Sequence, residues 1–247
     1  MSSNRVEPVE EAVWIILPVK DAKEAKQRLS PLLSAGQRRE LCQAMLEDVL
    51  AEVSQVKGVA GVLVISNDPA VQSLEVRFPV HTRLEPQDNA FGLNGAVTDA
   101  ARYLAEQGAD AVLVLHGDIP MIDSAELERV LAHHRSQGPG AHITLTPDDE
   151  QDGTNVLLVS PPLAIPYAYG KNSFSRHCQL ASERNLRVDV VSSAALALDI
   201  DTPDDLACFA SHCANSPRLA GRHSWRLLQN LPLAPVSRED EVSVRSA

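Results

Sequence analysis

Carboxylates at two points in the chain, and a cluster of lysines, have the types and spacing that chemistry would need. Asp118 lies in "VLVLHGDIPMI" (residues 112–122), where an apolar run suited to a buried parallel strand ends in a glycine and an aspartate. Open α/β sheets bind ligands at the carboxyl ends of their strands, which is where this carboxylate falls. Pro120 then stops further ladder pairing. A strand-end aspartate is also a common turn former, so the position alone assigns no role. A second acidic stretch, "DID" at 199–201, closes the extended-looking "LALDI" (196–200). Asp199 and Asp201 alternate with Ile200 and so point to one side of an extended chain; Asp201 has a second reading as a helix-start residue. With the two strand ends as neighbours, Asp118 and this pair would form a hard-oxygen set suited to magnesium, phosphate oxygens completing its shell.

The basic groups are unevenly placed. Of five lysines, Lys20, Lys23 and Lys26 fall just past the first strand-like run, and Arg28 adds to them. On one helix, residues 20, 23 and 26 would share a face. That face reads either as a solvated charged surface or as a pocket for phosphates, with lysine as a movable point charge. No Walker-type glycine loop is present, so the chain is not read as a P-loop enzyme. Two turn-rich stretches, "DGTN" (152–155) and "YGKNSFSRH" (169–177), could aim backbone N–H groups at an anion; Ser173 also reads as a plain helix cap. The loop "NAFGLNGAV" (89–97) offers Gly92 and Asn94 before a helix, as a base or ribose contact or, for Asn94, as a cap.

Elements must hold these groups. Strands are expected over 12–20, 59–66, 111–115, 141–147, 154–162, 188–191 and 196–200, with a weaker one over 76–84. Helices are expected over 35–56, from about 97 to 107, over 124–137 with Ser124 as cap, over 173–185, and after Thr202 with Pro203 at its first position. In the first helix Leu41, Met45, Val49 and Val53 recur on one face. Strands alternating with helices imply an α/β fold, a mostly parallel mixed sheet flanked by helices. From Cys213 onward the chain reads as polar and irregular, with Trp225, Leu227 and Leu228 as the main candidate anchors of either an ordered appendage or a frayed tail.

Bulk composition narrows the partners. A chain of 247 residues, 44% apolar, supports one large globular domain. A formal net charge of -11 argues against a nucleic-acid or membrane-surface binder, since both want a basic field. Cys42, Cys178, Cys208 and Cys213 lack CxxC spacing, which fits a reducing compartment rather than a disulfide or zinc framework. The amino terminus has no signal-peptide core and no apolar run reaches membrane length, so a cytoplasmic location is expected.

Six motifs occur together and in order: "LPVKDAKEAKQRLSPLLS", "FGLNGAV", "GDIP", "DGTNVLLVSPP", "YGKNSFSRH" and "LALDIDTPDDL". On these, from residue 13 to about 212, the chain closely resembles the guanylyltransferases that activate a phosphorylated three-carbon acid in coenzyme F420 biosynthesis. The resemblance implies a single Rossmann-like nucleotidyltransferase domain, assigned to 1–212; the polar extension over 213–247 lies outside the resemblance. It implies that GTP and a phospho-acid give a guanylylated product and pyrophosphate, the acid being 2-phospho-L-lactate, phosphoenolpyruvate or 3-phospho-D-glycerate. The family's metal aspartates fall on Asp118 and on "DID", with Asp199 favoured over Asp201, and Mg2+ is the implied ion. Its lysines fall on Lys20 and Lys26, its acid-binding residues on Thr154, Gly170 and Ser173, and its nucleotide loop on Gly92, Leu93 and Asn94. This chain departs from the usual pattern at "HGDIPM", where His116 and Met121 bear on the choice of acceptor. Cytidylyl or molybdopterin nucleotide transferases would carry a glycine- and arginine-rich first loop, absent here. A non-catalytic nucleotide-binding regulator or scaffold would bind without turnover. A homodimer is compatible with the sequence, which identifies no surface for it.

Overall fold

A computed structural model describes residues 11–19, 26–85 and 92–231. Seven strands form one sheet: β1 (Val13–Val19), β2 (Gly61–Ser66), β3 (His81–Leu84), β4 (Ala111–Leu115), β5 (His142–Pro147), β6 (Thr154–Ser160) and β7 (Arg187–Val190). Their order is β3-β2-β1-β4-β6-β5-β7. β6 runs antiparallel to both its neighbours, and the other pairings are parallel. The chain winds outward from β1 through β2 to β3, then returns to place β4 on the other side of β1. That reversal opens a crevice beyond the carboxyl ends of β1 and β4, where such sheets bind ligands.

Helices cover both faces, as expected. α1 (Ala35–Val53) and α4 (Ser124–Ser136) lie on one; α3 (Gly92–Glu106) and α5 (Ser173–Ser182) lie on the other. All five residues of β4 are buried, as a strand covered on both sides requires. Leu41, Met45, Val49 and Val53 of α1 are buried together, and a Ser34–Gln37 capping box starts that helix. A third apolar cluster lies beneath the crevice. It joins Leu29, Met45, Met121 and Ile200 to Phe209 of α7 (Pro203–Asn215) and Leu228 of α8 (His223–Asn230).

Several local expectations need correction. Residues 74–77 form a short helix, α2 (Leu74–Arg77), and Pro79 breaks the chain before β3, so the strand expected from 76 begins only at His81. Residues 92–94 open α3 instead of preceding it. Asp123 caps α4, accepting the Ala125 N–H at 2.9 Å, so Ser124 is already inside the helix. "LALDI" is no strand: α6 (Ala194–Ala197) is a helical turn of strong helix formers, followed by an irregular segment. Of the two readings for the segment from Cys213, the ordered appendage is what residues 213–231 show: α8 joins α1 in the third cluster through Leu228, with Trp225, Leu227 and, from the preceding 3-10 turn, Leu219.

Candidate active site

The loops after β1 and β4 meet in the crevice. Lys26 takes the left-handed conformation, φ 56°, at the start of the 3-10 turn Gln27–Leu29. That backbone state is uncommon for a residue with a side chain and persists where surroundings enforce it. Here the enforcing partners are acidic. Lys26 Nζ donates to Asp118 Oδ2 at 2.6 Å and to Asp201 Oδ1 at 2.5 Å. The lysine side chain is 7% exposed, against 32% for Asp118 and 47% for Asp201. Lys20 and Lys23 lie outside the described residues. The helical face expected for residues 20, 23 and 26 therefore falls outside the described residues as well.

Asp118, Asp199 and Asp201 each offer a carboxylate oxygen within 4.8 Å of the others. Both candidates in "DID" therefore reach the cluster, while Ile200 between them is fully buried, as alternation predicts. Backbone bonds fix the arrangement. The Ile200 N–H donates to the Asp118 carbonyl at 3.1 Å. Asp205 Oδ2 accepts the N–H groups of Asp201 at 2.9 Å and Thr202 at 2.7 Å in a capping box. Asn155 on β6 donates to the end carbonyls of α6, at 3.0 Å to Leu196 and 2.8 Å to Ala197, and so sets the approach to Asp199.

The electrostatics describe a site short of positive charge. Burial disfavours the Lys26 ammonium, but Asp118 and Asp201 outweigh it and hold the pKa above its ordinary value. Burial also works against the Asp118 carboxylate, yet Lys26 and His116 keep its pKa below the usual range. Asp199 is the group left over. Burial, then Asp118 and Asp201, push its pKa up to about 6 against the pull of Lys26. Three hard oxygen donors around one ammonium are what a divalent cation with phosphate ligands requires, and no soft ligand belongs to the set.

A cleft of about 700 Å³ opens from the cluster, lined among others by Pro18, Leu93, His116, Gly117, Ser66 and Asp68. Of the expected nucleotide loop, Leu93 lines this cleft. The Asn94 side chain has another task. Its Oδ1 accepts the Tyr169 N–H at 2.7 Å and its Nδ2 donates to the Tyr169 carbonyl at 3.2 Å. Both ends of the amide are thus used to tie α3 to the turn before α5, and Asn94 is not a cap. Gly92 has φ +56° with open space about it, a conformation that favours glycine.

Thr154, Gly170 and Ser173 come together beside this tie. Ser173 N–H donates to the Gly170 carbonyl at 3.0 Å, and Ser173 Oγ donates to Thr154 Oγ1 at 3.3 Å. Asn172, not Ser173, occupies the cap position of α5, in the left-handed region. His177 completes the group. Its Nε2 accepts the Ala168 N–H at 3.0 Å, so a neutral ring carries its proton on Nδ1 and donates it to Thr154 Oγ1 at 3.1 Å. Burial, then Arg176 and His116, lower the His177 pKa to about 4, which keeps the ring neutral. With two bonds accepted, the Thr154 hydroxyl retains its own proton to donate. These three residues are absent from the lining of the cleft. Edge contacts of Tyr169 with His116 (5.1 Å) and with His177 (5.0 Å) connect them to it.

His177, Asn155 and Tyr169 were not assigned roles from sequence. All three stand in the motifs "DGTNVLLVSPP" and "YGKNSFSRH", but Asn155 and Tyr169 act with partners 41 and 75 residues away, and His177 with an N–H nine residues back that only the folded turn brings to its ring.

The chain matches the family described as "Guanylyl transferase CofC like" over residues 13–230, past the last motif recognised in the sequence, which ends at Leu206. It is 37% identical to the phosphoenolpyruvate guanylyltransferase of Conexibacter woesei, over 89% of this chain and 96% of that protein. It is 35% identical to the 3-phospho-D-glycerate guanylyltransferase of Colwellia psychrerythraea, over 80% of this chain and 90% of that one. A candidate nucleotide-diphospho-sugar transferase of Desulfovibrio desulfuricans G20 shares the fold, with a TM-score of 0.71 at 15% identity over 89% and 94% of the two chains. A nucleotidyltransferase fold, a lysine-bridged triple-aspartate cluster at its switch point and a match across nearly all the described residues lead to one conclusion: the chain belongs to the CofC-like guanylyltransferase family.

Proposed function

We propose that this enzyme transfers GMP from GTP to the phosphate of a small phosphorylated carboxylic acid, releasing pyrophosphate, as a step of coenzyme F420 biosynthesis. The observation that carries the reading is the Lys26-bridged cluster of Asp118, Asp199 and Asp201 at the mouth of the cleft. An acceptor phosphate oxygen attacks the α-phosphorus of GTP; the new P–O bond forms as the bond to the β-phosphate oxygen breaks, and pyrophosphate leaves with that electron pair. The attacking oxygen is already anionic, so no strong general base is needed. The burden is electrostatic: two anions must be brought together in line.

Asp118, Asp199 and Asp201 would hold Mg2+, which when bound supplies positive charge to the phosphate oxygens. Lys26 orders the carboxylates among themselves and would lend its charge to the phosphates; Lys20, outside the described residues, is the second lysine expected to contribute. Thr154, Gly170 and Ser173 would take the acid, the spare Thr154 proton and backbone N–H groups being suited to a carboxylate. Leu93, with Gly92, would wall the nucleotide. Relatives named for phosphoenolpyruvate, 3-phospho-D-glycerate and 2-phospho-L-lactate define the acceptors to try. The experiment is pyrophosphate release with Mg2+, crossing GTP, ATP and CTP with those three acids. Turnover with GTP and one acid is expected. Silence across the panel by folded protein that binds GTP, or a preference for CTP, would overturn the proposal.

A further inference from the structure

The turn that follows Asp118 is buried and irregular, with Met121 and Ile122 at 5% and 0% exposure. Carbonyls in such a segment have no ladder or helix partner and need another donor. The donors come from about a hundred residues away. Arg218 and Arg222 flank the 3-10 turn Leu219–Gly221 between α7 and α8. Arg218 donates to the Met121 carbonyl at 3.0 Å and to the Ile122 carbonyl at 3.1 Å, and its Nε lies 3.3 Å from the Asp123 carboxylate. Arg222 donates to the same Ile122 carbonyl and pairs with Glu52 of α1 at 3.0 Å. Glu52 in turn accepts the Ser124 N–H at 2.9 Å, so the start of α4 is tied to the same group. The start of α8, capped by Arg222, is held from α1 as well: the Asp48 carboxylate accepts the N–H groups of His223 and Ser224 and the Ser224 hydroxyl, at 2.6, 3.0 and 2.5 Å, and the Asp48 carbonyl accepts from Arg222 at 3.3 Å.

We infer that Arg218 and Arg222 are positioning residues of the transfer site. By satisfying the Met121 and Ile122 carbonyls they hold the 119–123 turn so that Asp118 stays within reach of Lys26, Asp199 and Asp201. The inference rests on the function proposed above.

The test uses the full chain and titrates pyrophosphate release against Mg2+ for wild type, Arg218→Met, Arg218→Lys and Ser224→Ala. Arg218 is the residue to change because it is partly exposed and its loss leaves the buried Arg222–Glu52 pair intact. Arg218→Met is expected to need about tenfold more Mg2+ for half its maximal rate and to lose about tenfold in that rate, within the span known for small misplacements of reacting groups. KM for the acid stays within about twofold, and Arg218→Lys recovers part of the loss. Ser224→Ala removes one bond at the start of α8, leaves the arginine bonds to the Met121 and Ile122 carbonyls in place, and keeps the wild-type Mg2+ requirement. A wild-type requirement in Arg218→Met, or the same change in Ser224→Ala, overturns the inference. No turnover by the wild type would sink the functional reading instead. The clamp is then judged by amide exchange of residues 117–123: faster exchange in Arg218→Met but not in Ser224→Ala upholds it, and equal exchange overturns it.

Discussion

Asp118 carries the heaviest demand of any single side chain in the site. It accepts from Lys26, its carbonyl accepts from Ile200, and its carboxylate is one of three that would hold the cation. Asp118→Asn keeps the shape and removes the charge. Turnover is expected to fall by about 100-fold or more with the fold intact, the scale of a lost transition-state electrostatic contact. Steady-state rates beside a circular-dichroism melt check this; a near-normal rate would remove Asp118 from the site. Its place at the cluster was legible because the signal is local: an apolar strand, a glycine, an aspartate, a proline. The role of Asn94 was not. It looked like a nucleotide contact or a cap, and what decides its use is Tyr169, 75 residues further on. His177 was hidden for a different reason: the Ala168 N–H that sets its tautomer is only nine residues back, and it is the fold of the intervening turn that brings it to the ring.

At the scale of elements, the site is as good as the helix start that holds Asp201. The α7 capping box satisfies Thr202 and Asp205 mutually, and the same Asp205 oxygen takes the Asp201 N–H. Asp205→Ala is expected to cost about 1–2 kcal/mol of stability, the range of a lost cap, and to reduce turnover about tenfold by freeing Asp201. Urea unfolding and rate measurements read the two effects; loss of stability with an unchanged rate would show that Asp201 is held by Lys26 alone. Most elements were legible from periodicity, because burial of a repeating face needs no knowledge of the partner. The failures fell where a distant partner decides. α6 closes with carbonyls that Asn155 satisfies from β6, and α8 is ordered because α1 supplies Asp48. Neither partner can be read from the segment it orders.

For the molecule as a whole, two buried histidines set the response to acid. His134 is held between Thr144 and Ser160 and stacks on His142, and burial, then nearby His142 and Arg135, lower its pKa to about 3. His177 is lowered to about 4. Unfolded, each takes up its proton near pH 6.5. Between about pH 4 and 6.5 the unfolded chain therefore binds more protons at these positions, and their contribution to stability is lost as pH falls. Asp199 acts in the opposite sense, since its raised pKa favours the folded state below about pH 6. One histidine is thus offset below that point. Wild-type stability is expected to drop from pH 6.5 to 4.5, and His134→Gln should flatten the slope by up to about 1.4 kcal/mol per pH unit. Urea titrations at a series of pH values give both slopes; equal slopes would mean that His134 is not buried as a neutral ring. The reversed strand β6 has one more consequence, in the order of assembly. Because β6 runs against β4, its first residue, Thr154, reaches the edge of the sheet where Asp118 emerges. It gets there by a short hairpin from β5, whereas the turn beyond Asp118 waits for donors 96 to 100 residues later in the chain. Short closures form before long ones. On the proposed reading, Thr154 on the acid side is therefore expected in place early in folding, and the turn that holds Asp118 is expected last.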